Sequence, residues 1–88
     1  MKAVNRDIDM ICVFEKNAAP RPVRFRMQRR DGSCETVSVD QVKQVEEFQP
    51  GGQHSYIYTC ASDRGEYVIT YQLKYIVKDM RWMILGIL

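Results

Sequence analysis

The chain has 88 residues, of which 45% are hydrophobic and 27% are charged, and its 13 basic and 11 acidic side chains leave a net charge of +2. This length provides for one domain, and the composition excludes an intrinsically disordered chain, which would combine low hydrophobicity with high net charge. The even balance of charges gives no reason to expect nucleic acid or an anionic membrane as the default partner.

Apolar and polar residues alternate with a period of two over most of the chain, a pattern typical of β-strands. We predict a flexible N-terminal arm over residues 1–7 and a single β domain over residues 8–88. The first strand of this domain starts at Ile8 and is apolar on both faces. The second strand alternates strictly, and its predicted core-facing residues are Val23, Phe25 and Met27.

The third segment begins as a strand and then loses its phase. Two valines alternate with polar residues at its start, but the next apolar residues, Val42 and Val45, no longer fit that period. Two interpretations stay open: a β-bulge within a bent strand, or a short helical turn near 40–47 capped by Asp40. We favour the bulged strand, because valine suits β structure and a helix of two turns is marginal alone.

Three further strands follow in the C-terminal half, and turn residues separate them at Pro50-Gly51-Gly52, Asp63-Arg64-Gly65 and Lys78-Asp79. Every connection is short enough for a hairpin, whereas parallel strands would need crossovers of about a dozen residues or more. The sequence therefore predicts an all-β fold, a six-stranded antiparallel meander that is strongly twisted and closes toward a small barrel.

Side chains that could carry catalysis are isolated in the sequence. The one histidine, His54, lies beside a glycine turn, and no Cys-x-x-Cys or His-x-x-x-His spacing accompanies it, so we interpret it as a solvated turn residue. The adjacent carboxylates Glu46 and Glu47 are interpreted as a solvated strand end. We therefore expect no enzymatic activity, no metal site and no cofactor.

The cysteines and the apolar runs indicate the compartment. The chain has three cysteines, Cys12, Cys34 and Cys60. An odd number of cysteines argues against a disulfide framework, so we interpret them as reduced thiols of a cytoplasmic protein. The first residues lack the apolar region of a signal peptide, and the longest apolar run, 82–88, is far shorter than the ~20 residues of a membrane span. We expect no membrane association.

The arginines around the second strand are the basis of one functional hypothesis. Arg24, Arg26 and Arg30 fall on one polar face if the strand stays regular. Guanidinium groups can hold phosphates while tyrosine rings stack on bases, so this face could bind a nucleic-acid strand. The alternative is a charged solvent face that keeps the sheet soluble and is paired with carboxylates of the neighbouring strand.

The last strand is the basis of a second hypothesis because it is apolar on both faces. A meander has one interior, so the face that carries Met83, Leu85 and Ile87 has no evident cover within the chain. An exposed patch of a few hundred Å² indicates a partner. We therefore predict a homodimer or a protein partner at these three residues. The alternative is that a bent third segment or the N-terminal arm covers the patch.

A resemblance to a known group covers most of the chain from Ile8 onward. The stretches that carry it are Asp9-Met10-Ile11-Cys12, Arg21-Pro22-Val23-Arg24-Phe25-Arg26, Leu73-Lys74-Tyr75 and Arg81-Trp82-Met83-Ile84. Together they resemble a group of small uncharacterised bacterial proteins of about this length, mostly from Firmicutes. The resemblance implies the same strands and a cytoplasmic setting, and it transfers no active site.

The function best supported by these patterns is a non-catalytic binding or interaction module that associates with itself or with a protein partner. The alternative is a nucleic-acid-binding β domain that uses the arginine-bearing strand face. Salt separates the two hypotheses, because binding to phosphates weakens steeply with ionic strength and apolar association does not.

Overall fold

The computed structural model describes all 88 residues, and seven strands dominate it. The strands are β1 (Lys2–Val13), β2 (Arg21–Gln28), β3 (Cys34–Ser38), β4 (Gln41–Phe48), β5 (Ser55–Asp63), β6 (Val68–Ile76) and β7 (Arg81–Ile87). A single 3-10 turn at Pro50–Gly52 joins β4 to β5. The all-β class is confirmed.

The seven strands form one antiparallel sheet in the order β3-β2-β1-β7-β6-β5-β4. Two hairpin runs, β1–β3 and β4–β7, are joined because the first and last strands pair with each other. The sheet curls into a half-barrel whose two edge strands are β3 and β4. The antiparallel, curled arrangement is confirmed, but the number of strands is seven rather than six.

The seventh strand comes from the segment where the period slips. Residues 34–48 change partner at their centre, since the Val39 N–H donates to Val23 O of β2 and the Asp40 N–H donates to Ala61 O of β5. Residues before this point pair with β2 and residues after it pair with β5. The alternative of a helical turn near 40–47 is wrong. The favoured interpretation, a strand with a bulge, describes β4, whose pairing with β5 shifts register between Val42 and Gln44.

The segment 1–7, predicted as a flexible arm, belongs to the sheet. β1 starts at Lys2, which lies opposite Ile87 of β7. The register between these strands shifts around Asn5, whose φ of 49° lies in the left-handed region. A bulge interrupts the two-residue period that identifies a strand in sequence, and for this reason the pattern did not reveal the first half of β1.

The concave side of the sheet holds one apolar core. Alternate residues of each strand face it, as the period predicts for β2, β5 and β6. The ten buried residues of the core are Ile8, Phe25, Val37, Tyr58, Cys60, Tyr71, Leu73, Tyr75, Trp82 and Ile84. None of the three cysteines forms a disulfide; Cys60 is buried in this core and Cys12 packs against it.

Side-chain hydrogen bonds connect β5 to the β1–β3 run across the line where backbone pairing is interrupted, which we call the seam. The Tyr58 hydroxyl on β5 donates to the carbonyl oxygen of Pro20 at 2.6 Å. Ser62, also on β5, donates to the carbonyl oxygen of Ser38 on β3 at 2.5 Å. Each bond satisfies a polar group at the seam, where an unpaired buried group would cost about 1–3 kcal/mol.

Candidate binding pocket at the mouth of the half-barrel

One end of the half-barrel contains an apolar pocket of about 190 Å³. Inward residues of β2, β3, β6 and β7 form its walls, and the turn between β5 and β6 forms its rim. We call it the mouth pocket, and its lining residues are Phe25, Met27, Glu35, Val37, Arg64, Tyr67, Ile69, Tyr71, Ile84 and Ile87. Eight of these ten residues are hydrophobic, so the pocket can hold an apolar group by burial alone.

The floor of the mouth pocket is rigidly packed. Phe25 and Tyr71 meet edge to face with ring centroids 5.6 Å apart. The Tyr71 hydroxyl lies 2.6 Å from the Ser62 hydroxyl, which in turn donates to the backbone of β3. Burial raises the pKa of Tyr71 to about 12 despite this hydrogen bond. The Tyr71 ring therefore forms a buried floor, with its hydroxyl held by Ser62.

The rim of the mouth pocket carries a shared carboxylate. Glu35 accepts a hydrogen bond from Arg64 Nη2 at 2.7 Å through one oxygen, and its other oxygen lies 3.2 Å from Arg29 Nη2. The side chains of Glu35 and Arg64 are only 23% and 29% exposed. These ion pairs link the β2–β3 hairpin to the β5–β6 turn, so they hold the two sides of the mouth together.

The opposite end of the half-barrel is filled by aromatic rings. Trp82 packs against Tyr58 and Tyr75 with ring centroids 5.1 Å and 4.9 Å apart. Phe14 extends the row of rings on one side, and its ring centroid lies 6.1 Å from that of Tyr75. A second pocket of about 200 Å³ opens beside the rings, and Pro20, Val42 and Tyr58 are among its lining residues. The mouth pocket has the more hydrophobic lining, with eight of ten residues against four of eight.

Near the aromatic end, the structure brings together a histidine and a carboxylate that the sequence does not connect. The turn at Pro50–Gly52 places His54 Nε2 2.6 Å from Glu47 Oε2. The His54 ring also lies 4.9 Å from the Tyr56 ring. The hydrogen bond from His54, followed by the contact with Tyr56, lowers the pKa of Glu47. His54 is thus held in an exposed pair with Glu47 rather than solvated alone.

The structure places two of the three arginines of the nucleic-acid hypothesis on one strand face and the third in a turn. Arg24 and Arg26 lie on the outer face of β2, and Arg26 donates to Asp9 of β1 at 2.7 Å. Arg30 lies beyond the strand, in the turn that leads to β3. The hydrogen bond to Asp9 is the largest cause of the raised pKa of Arg26. One of the three arginines is therefore paired with a carboxylate, and another lies off the face.

The three residues of the self-association hypothesis do not share a face. The pairing of β6 with β7 shifts register between Gln72 and Leu73, so the alternation of side chains changes along β7. Ile87 packs against the core and lines the mouth pocket. Met83 and Leu85 are half-buried and lie outside the core cluster. The predicted apolar patch is reduced to these two residues.

Sequence reasoning missed the mouth pocket because its polar residues are distant in the chain. Glu35 and Arg64 are separated by 29 positions, and Arg64 has the sequence context of an ordinary turn residue.

No group of three or more His, Cys, Asp or Glu side chains is placed to hold a metal ion. The chain also contains no helix with the length and hydrophobicity needed to cross a bilayer.

Comparisons with protein-family models, curated proteins and solved structures find no match to this chain.

Proposed function

We propose that this protein is a non-catalytic binding module and that the mouth pocket is its binding site. The proposal is supported by the apolar lining of this pocket, in which eight of ten residues are hydrophobic. Binding sites for small ligands are concave and mostly apolar, with a few polar groups that fix orientation. The ion pairs at Glu35 supply such groups. Because an apolar cavity of about 150 Å³ can bind benzene, a group of one ring's size fits here.

A fragment screen followed by two-dimensional NMR tests this proposal. Fragments that bind should shift the methyl resonances of Ile69, Ile84 and Ile87, which line the pocket. Substitution Ile87→Trp should fill the pocket and abolish these shifts. The matched control is Ile57→Trp on β5, whose position is outside the pocket lining and should leave binding unchanged. Fragments that shift only residues elsewhere would contradict the proposal.

We also propose that the protein associates with itself or with a protein partner, in the cytoplasm. Met83 and Leu85, which lie outside the core, support an apolar contact on β7, and three free cysteines support a reducing compartment. Light scattering over a range of concentrations should detect a dimer that Met83→Lys weakens. A mass that stays monomeric at every concentration would contradict self-association.

A separate observation supports the nucleic-acid alternative. Arg24 takes part in no ion pair and lies on the outer face of β2, between Ile11 of β1 and Ser38 of β3. A shallow cleft that this arginine lines opens on the same face. Binding to an oligonucleotide through such a surface would weaken steeply with salt, whereas occupation of the mouth pocket by an apolar group would not.

A further inference from the structure

Another cleft lies at the fork where β1 separates from β2. β1 pairs with β2 from Asp9 to Val13 and with β7 from Lys2 to Ile8. Arg6 spans the opening of this fork, where its Nη1 donates to the carbonyl oxygen of Gln28 at 2.9 Å. We call it the fork cleft; its volume is about 490 Å³, and its lining residues are Arg6, Asp7, Gln28, Arg29, Arg30 and Gly32. None of these residues lines the mouth pocket.

We propose that the fork cleft binds a diphosphate group, either free or as part of a small molecule. The lining contains three guanidinium groups and one carboxylate, that of Asp7, and it contains no hydrophobic side chain. A cleft dominated by one sign of charge concentrates ions of the opposite sign. Guanidinium groups bind phosphate oxygens through pairs of parallel hydrogen bonds. The lining therefore favours a compact anion with several phosphate oxygens.

The positive excess remains when the ion-pair partners of the lining residues are counted in the same way. Asp7 faces Arg81, whose Nε lies 3.4 Å from a carboxylate oxygen. The partner of Arg29 is Glu35, and Glu35 is shared with Arg64. These partners are two guanidinium groups and one carboxylate, so they add no net negative charge to the cleft.

Two further carboxylates near the cleft do not reverse the excess. Asp31 lies in the same turn as Arg29 and Arg30 but outside the lining, and it accepts hydrogen bonds from the N–H and the hydroxyl of Ser33. With Asp31 included, three guanidinium groups still face two carboxylates. Asp9 lines an adjoining cleft and is paired with Arg26 at 2.7 Å.

The guanidinium groups have donors to offer a ligand. Each carries five N–H donors; Arg30 takes part in no ion pair, and Arg6 uses Nη1 for Gln28. Arg29 directs Nε and Nη2 to Glu35, so its Nη1 remains. The turn is closed by Gly32, which has a φ of 90° and donates its N–H to the Arg29 carbonyl. Donors from β1 and from this turn thus line one cleft.

The composition of the lining distinguishes a small polyanion from a nucleic-acid strand. Proteins that bind single strands combine a positive groove with aromatic rings on which successive bases stack. No ring lines the fork cleft, so a base would find no stacking partner there. The ligand is therefore recognised through its phosphate oxygens, and a nucleoside attached to the diphosphate adds little affinity.

NMR titrations at constant ionic strength test this inference with pyrophosphate, orthophosphate, ADP and a short oligothymidylate. We expect pyrophosphate to shift the amide resonances of Arg30 and Gly32. It should bind about tenfold more tightly than orthophosphate, since it can engage two more exposed charge contacts at roughly threefold each. Equal binding of pyrophosphate and orthophosphate would overturn the inference, as would tighter binding of oligothymidylate than of pyrophosphate. Binding of ADP would identify a diphosphate carried by a small molecule, and binding of pyrophosphate alone would identify the free ion.

Two variants separate the fork cleft from the general positive charge of the protein. Arg30→Gln removes a guanidinium that makes no ion pair, so the fold should be retained and the affinity for pyrophosphate should fall about threefold. Arg24→Gln is the matched control, because Arg24 is also exposed and without an ion pair but lies outside the lining. It should leave the affinity unchanged. Equal losses in the two variants would overturn the inference, and the proposed function of the mouth pocket would be unaffected.

Discussion

The hydroxyl of Tyr58 donates a hydrogen bond of 2.6 Å to the carbonyl oxygen of Pro20, across the seam between β5 and the start of β2. Both residues are buried, and they lie 38 positions apart in the chain. The Pro20 carbonyl lies outside the strand pairing and accepts no backbone N–H, so the tyrosine hydroxyl supplies the partner of this buried acceptor. The bond joins the two hairpin runs on the side away from the β1–β7 pairing.

Removal of this hydroxyl is expected to loosen the seam. Tyr58→Phe keeps the ring against Trp82 but leaves the buried Pro20 carbonyl without a partner, so we expect a loss of about 1–2 kcal/mol in the free energy of unfolding. Chemical denaturation measures it. Tyr75→Phe is the matched control, because Tyr75 is buried in the same cluster of rings and its hydroxyl makes no hydrogen bond across the seam. Equal losses in both variants would show that the bond to Pro20 has no special role.

Gly86 allows the first and last strands to approach each other. A Cβ atom at this position would lie 2.5 Å from the carbonyl oxygen of Lys2, so Gly86→Ala must displace β1. We expect a loss of about 1–3 kcal/mol, measured by denaturation. A chain that lacks residues 1–3 should tolerate the same substitution with a smaller loss. If Gly86→Ala costs as much stability in the shortened chain as in the full chain, the clash is not with the first residues of β1.

Much of the fold follows from local pattern. In β2 the period of two identifies the inward side chains, and Phe25 is buried as predicted. Tyr58 on β5 and Leu73 on β6 are buried in the same core. No bulge interrupts the pairing of β5 with β6 or of β2 with β3. A residue's face is then decided by its own position in the strand, so the sequence alone is sufficient.

The remainder depends on interactions between distant segments. The pairing of β1 with β7 has no connecting turn that could reveal it, and the bulge around Asn5 hides the period of residues 1–7. The change of partner strand at Val39 interrupts the alternation of apolar residues in the same way as a simple bulge, so the sequence does not distinguish the two. The mouth pocket depends on Glu35 and Arg64 meeting across the barrel, and a single sequence contains no pattern for such a contact.

The outer face of β2 is expected to bind single-stranded nucleic acid weakly. We expect that replacing Arg24, Arg26 and Arg30 with alanine has no larger effect on oligonucleotide affinity than replacing Arg6, Arg21 and Arg81. Arg26 is paired with Asp9 and Arg30 lies in the turn, which leaves Arg24 alone unpaired on the face. Fluorescence anisotropy at several salt concentrations measures the oligonucleotide affinity of each variant. A log–log salt slope that falls by about two in the first variant alone would support the nucleic-acid alternative.

Two buried acids should make the fold sensitive to alkali. Burial raises the pKa of Cys60 from 9.0 to about 12 and that of Tyr71 from 10.0 to about 12. In the unfolded chain both groups lose their protons at lower pH than in the folded state, so the folded state binds more protons between these values. Their contribution to stability is therefore complete below about pH 9 and falls as the pH rises toward 12.

We expect the free energy of unfolding to decrease by a few kcal/mol between pH 9 and pH 11.5, since each unit of pKa difference corresponds to about 1.4 kcal/mol. Denaturant titrations at successive pH values measure this slope, and absorbance of tyrosinate should rise together with the loss of tertiary structure. Cys60→Ala should flatten the slope between pH 9 and pH 10, where the thiol titrates in the unfolded chain and Tyr71 does not. A slope that Cys60→Ala leaves unchanged would show that the buried thiol does not couple folding to pH.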